Sequence, residues 1–181
     1  IYGNTIPEIT PNIDKLGKTG LIFEKGYVQA PNCSPSRSVI QTSLYPHQSG
    51  MRGFFYVQPK HETLPEILMK NGFHTGVINK APDSSLSPDF DVFWNTSLGF
   101  KGIEKRSSIA YNKLVTKFFN NVKIANKPFY CVVNVADPHK PFFNDMASRK
   151  KGFDKFKPSK IYELDDVEIP NFLPKNPKIK Q

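Results

Sequence analysis

The near-continuous apolar run from Phe129 through Tyr130, Cys131, Val132 and Val133 to Val135 constrains this chain most. It has strand length, and a run without alternation suits a strand covered on both faces, as in parallel sheets. A second, shorter strand is predicted from Thr75 to Ile78. Thr63-Leu64-Pro65-Glu66 reads as a helix start, with Leu64, Ile67 and Leu68 forming an apolar face and Gly72 ending it. A longer amphipathic helix is predicted from Ser108, carrying Tyr111, Val115, Phe118, Phe119 and Val122 near helical spacing. Thr10-Pro11 opens a short helix to about Lys18, closed by Gly20, with Leu21 to Phe23 and Tyr27-Val28 extended after it. Ser36 is expected to cap a helix running from Arg37 toward Leu44. Helices alternating with buried strands give an α/β fold, a mostly parallel sheet flanked by helices. The stretch 141–181 is rich in Pro, Lys and aromatic residues without periodicity and reads as loops; no internal repeat is visible.

The 181 residues suffice for one domain with its own core. No stretch approaches the roughly 20 apolar residues that span a bilayer, so no membrane partner is expected. The net charge of +9 favours acidic partners such as nucleic acid, anionic membranes or sulfated glycans. No nucleic-acid signature accompanies that charge, and a solvated lysine-rich surface is the plainer reading. Cys131, inside the apolar run, reads as a small core residue, and nothing else suggests a disulfide to Cys33. Asn95-Thr96-Ser97 is a glycosylation sequon.

In open parallel sheets, ligands bind beyond the carboxyl ends of the strands. Lys80 follows the Thr75–Ile78 strand, and Asp137-Pro138-His139 follows the long apolar run. Cys33-Ser34-Pro35-Ser36-Arg37 puts a cysteine just before an expected helix N-terminus, where backbone N–H groups favour an anion. Each residue has a plainer rival: Lys80 as a surface charge, His139 as a solvated loop histidine, the cysteine segment as a Pro-Ser turn. Asp83, Asp89 and Asp91 read as turn carboxylates, and His47 as a packing residue.

The pattern Cys-x-Pro-x-Arg at Cys33, Pro35 and Arg37, continued by Thr42, Pro46 and Gly50, resembles the entry motif of the sulfatase family. The stretches Ser43 to Met51, Gly72 to Lys80, Ala136 to His139 and Leu164 to Pro174 are similar, in order and spacing, to the heparan N-sulfatase subfamily. The resemblance implies an incomplete alkaline-phosphatase-like domain over residues 1–181, the N-terminal part of a longer enzyme. It implies that Cys33 is oxidised to formylglycine by a formylglycine-generating enzyme, and that the hydrated aldehyde attacks sulfur. Arg37 would orient that group, Lys80 would neutralise a sulfate oxygen, and His139 would donate the proton to the leaving atom. The implied substrate is a sulfated glycosaminoglycan, with N-linked sulfate removed from glucosamine of heparan sulfate. The alternatives are an O-sulfatase of the same fold or a catalytically silent glycan-binding relic.

The resemblance further implies one calcium ion, bound through the formylglycine at Cys33 and through carboxylate and amide ligands outside this chain. The fragment alone is accordingly expected to be inactive. A lysosomal location, with a signal peptide not in this chain, and a homodimer of the full-length protein are implied as well. Two departures stand out. Pro82 occupies the position of a family histidine, and Gln41-Thr42-Ser43 replaces the family's Leu-Thr-Gly.

Overall fold

Val77 and Ile78, both fully buried, sit in the middle strand of a parallel sheet, and the rest of the architecture follows from covering that strand. The computed structural model describes residues 9–54, 61–81, 94–166, 168–169 and 172–174. Its elements in chain order are α1 (Pro11–Thr19), α2 (Cys33–Thr42), α3 (Pro46–Ser49), α4 (Leu64–Lys70), β1 (His74–Ile78) and β2 (Thr96–Leu98). A 3-10 turn (Gly102–Arg106), α5 (Ser108–Ala125), β3 (Phe129–Val133), α6 (Met146–Lys151) and 3-10 turns at Phe153–Lys155 and Leu164–Asp166 follow. Residues 28–157 form one compact unit; residues 1–27 and 158–181 form another, which holds α1 and the Leu164–Asp166 turn. No described helix is long and apolar enough to cross a membrane.

The described sheet has order β2-β1-β3, all parallel, with Gly76 opposite Thr96 on one side and Cys131 on the other. Strand side chains alternate between faces. His74, Gly76 and Phe129 therefore face α5, whose fully buried Phe118 packs against Phe129 and His74. Val77, Tyr130 and Val132 face the other way and form a core with Ala81 and Trp94, whose indole stacks on the Tyr130 ring. α2 lies on this second face, with the Gln41 side chain beside the Tyr130 hydroxyl, and α4 packs on β1 and α2. The α/β class read from the sequence is the one observed.

Several local expectations hold. The Glu66 carboxylate accepts the Thr63 backbone N–H at 2.7 Å, closing the start of α4. The Ser107 hydroxyl caps α5 by accepting from the Ala110 N–H. Three expectations are corrected. β3 is not buried on both faces: Phe129 is 47% and Val133 42% exposed, and the strand ends at Val133. Among the described residues β3 pairs only with β1 and is an edge, while the burial falls on β1. α2 begins at Cys33 rather than Arg37, because the Asn32 side chain accepts the Cys33 N–H and caps the helix that Ser36 was expected to start. Within 141–181, read as loops, α6 forms between an Asp145 cap, accepting from Ser148 N–H, and Gly152 at positive φ. Pro82, Asp83, Asp89 and Asp91 lie outside the described residues.

Candidate active site

Arg37 reaches from α2 to the end of β3, where an Nη1 hydrogen donates to Oδ1 of Asn134. Because Gln41, one turn later, meets Tyr130 further back on the same strand, α2 runs opposite to β3. Cys33, one turn before Arg37, thus sits toward the carboxyl edge of the sheet, as the first helical residue. Its N–H is taken by Asn32, and the thiol is partly exposed.

Asn134 joins these helix residues to the end of β1. Its backbone N–H donates to Ile78 O at 2.9 Å, and its amide Nδ2 donates to Asn79 O at 2.7 Å. In return, Asn79 Nδ2 donates to Asn134 O at 2.9 Å. The Tyr111 hydroxyl, from α5 on the opposite face, donates to the same carbonyl at 2.8 Å and accepts from Ala136 N–H at 2.9 Å. Burial holds this phenol above its ordinary range, so the hydroxyl keeps the proton it donates.

Lys80 follows Asn79 directly, and both adopt left-handed backbone, with φ of 50° and 63°. Asparagine tolerates this region, whereas lysine rarely enters it. Such a residue costs about 1 kcal/mol or more and persists only where its surroundings impose it. Here the Asn79 carbonyl is bonded by Asn134 and its N–H by Leu98 O at 2.8 Å. The bonds on Asn79 therefore hold in place the backbone turn that carries Lys80 at the end of β1.

His139 is exposed and lies between two cis X-Pro peptides, Asp137–Pro138 and Lys140–Pro141. Arg106 holds its loop. That guanidinium, only 7% exposed, pairs with Asp137 and donates to His139 O at 2.7 Å and Pro141 O at 3.1 Å. His139 Nδ1 lies 2.6 Å from Lys140 O, and a carbonyl only accepts, so the proton sits on Nδ1. The other ring nitrogen, Nε2, is the one left for exchange with a ligand.

The structure thus ties Arg37 and the Lys80 turn together through Asn134, and places Cys33 and His139 on segments leading to the same edge. Sequence reading missed Asn134, Asn79, Tyr111 and Arg106. The one signal was Asn134 itself, a polar residue interrupting the apolar run. His47, read as a packing residue, is exposed and stacks on Tyr45. A groove lined by Phe100, Ile103, Leu114 and Phe156 includes none of the four candidates. Among the described residues no group of three or more His, Cys, Asp or Glu is placed to hold a metal ion.

Comparison with known proteins bears on this arrangement. The family model described as Sulfatase matches residues 1–166. N-sulphoglucosamine sulphohydrolase of Homo sapiens is 28% identical over 189 residues, covering 93% of this chain and 37% of that protein. A sulfatase of Formosa agariphila is 26% identical over 212 residues, covering 90% of this chain and 39% of its own length. N-acetylgalactosamine-6-sulfatase of Homo sapiens is 31% identical over 98 residues, covering 44% of the chain and 18% of that protein. The chain therefore spans less than two-fifths of the length of these relatives. No solved structure matches.

Proposed function

This chain belongs to the sulfatase family, and from that premise we propose that it carries the nucleophile end of a hydrolase that removes N-linked sulfate from glucosamine of heparan sulfate. The observation that carries the reading is the anchoring of Arg37, one turn after Cys33, into the strand ends that present Lys80. The similarity to N-sulphoglucosamine sulphohydrolase across 93% of the chain favours the sulfamate over a sulfate ester.

The roles follow from the chemistry of a hard anion. Formylglycine at position 33 would supply, as its hydrate, the oxygen that attacks sulfur. Arg37 presents its fork to that position and to sulfate oxygens, a geometry that suits oxyanions. Lys80 neutralises charge on the sulfate as it builds in the transition state. His139, with Nδ1–H held by Lys140 O, would as the imidazolium hand its second proton, the one on Nε2, to the departing nitrogen. Formylglycine at position 33 would be one ligand of a calcium ion, whose remaining ligands we assign to the rest of the protein. The same reading places the protein in the secretory pathway and lysosome, matured by a formylglycine-generating enzyme and paired as a homodimer. The exposed Asn95 of its sequon is compatible with a glycoprotein.

A second reading, hydrolysis of an O-linked sulfate, is favoured by the 31% identity to N-acetylgalactosamine-6-sulfatase. Sulfate release by the whole protein that carries this chain separates the two. N-sulfoglucosamine should be the better substrate by kcat/KM than a 6-O-sulfated hexosamine. The reverse preference would transfer the assignment to the ester, and no release from either would end the hydrolase reading.

A further inference from the structure

We propose that Asn134 is the positioning residue of this site: it fixes the Arg37 guanidinium and the Lys80 turn in one frame, so that two cations meet the same anion. The inference rests on the hydrolase reading for its consequence, but not for its geometry.

Asn134 is 5% exposed, and the chemistry of its neighbours fixes how its amide is turned. Nδ2 faces the carbonyls of Asn79 at 2.7 Å and Ile78 at 3.4 Å, which can only accept. Oδ1 must then face Arg37, which can only donate. No flipped orientation satisfies both sides. The backbone of Asn134 is equally committed, its N–H to Ile78 O and its carbonyl to Asn79 Nδ2 and the Tyr111 hydroxyl. A residue bonded on every polar atom has one arrangement available. It transmits that arrangement to Arg37 on one side and, through the Asn79 carbonyl, to Lys80 on the other. The parity of the strand explains why position 134 does this. Tyr130 and Val132 face α2, so the next residue of that face meets the next helical turn, which carries Arg37.

Two substitutions test it in the whole protein. Asn134→Ala removes both the acceptor and the donor. Asn134→Asp keeps an acceptor for Arg37 and removes the donor to Asn79 O. The guanidinium resonances of Arg37 read the positioning directly by nitrogen-15 NMR. We expect slow rotation about Nε–Cζ in the parent and in Asn134→Asp, and averaged signals in Asn134→Ala. Averaged signals in a folded Asn134→Asp, or unchanged signals in Asn134→Ala, would overturn the proposal.

The activity arm uses N-sulfoglucosamine. Asn134→Ala should lower kcat/KM about tenfold, and that loss should be smaller in an Arg37→Ala background, where only the disturbance of the Lys80 turn remains, since residues acting through one another are not additive. Additive losses would overturn the coupling. Should the parent release no sulfate while the Arg37 signals behave as expected, the hydrolase reading fails and the positioning role stands.

Discussion

Gly76 lies so close under the Phe118 ring that a Cβ placed on it would overlap Cε2 and Cδ2 of that ring. The central strand and the long helix α5 therefore touch ring against backbone, and Gly76 is required for closeness rather than for unusual torsion. Phe118 has no space to retreat into, being fully buried against Phe119, Phe129 and His74. Gly76→Ala should overpack this contact and destabilise the fold by about 1–3 kcal/mol. Phe118→Ala should cost about 3–5 kcal/mol through the cavity it leaves. Urea unfolding of the three proteins reads both values; a Gly76→Ala protein as stable as the parent would mean that α5 sits further from β1.

Cys131 lies on the α5 face of β3, and burial pushes its thiol up to about 11. At pH 8 the reactive thiolate is then about one part in a thousand. Native protein should leave Cys131 unlabelled by iodoacetamide over minutes, while urea-unfolded protein should label fully. Peptide mass spectrometry checks this, and rapid labelling of the native state would mean that the face under α5 opens to solvent.

His74 should make the fold sensitive to mild acid. Its pKa is lowered, first by burial and then by the charge of Lys127. The unfolded chain therefore binds the proton more readily than the folded one. Stability contributed by neutral His74 is present above the ordinary value of 6.5 and is lost as pH falls from there through the lower folded value. Urea midpoints should drop between pH 7.5 and pH 5, and His74→Gln should flatten that drop. An equal slope in both proteins would assign the effect elsewhere.

The sequence made some of this legible and hid the rest for definite reasons. The α/β class, the strand before Lys80 and the Thr63–Glu66 box are local signals, set by periodicity and capping chemistry. Burial was misassigned between β1 and β3, because an apolar run reports strand propensity but not which strand lies in the middle. The start of α2 was missed because Asn32 and Ser36 are both good caps, and only tertiary packing chooses. The Cys33 and Arg37 pair was visible as a motif. The residue that holds Arg37 was not, because Asn134 is 97 positions away and only the fold brings them together.

Whether position 33 acts as formylglycine is read from the mass of the tryptic peptide that contains it. Pro35 and Arg37 are intact beside it, and it opens α2 with a partly exposed side chain. In the whole protein secreted from a eukaryotic cell, that peptide should carry an aldehyde in place of the Cys33 thiol, trapped by an aldehyde-specific hydrazine. Cys33 recovered only as an unmodified thiol would contradict it.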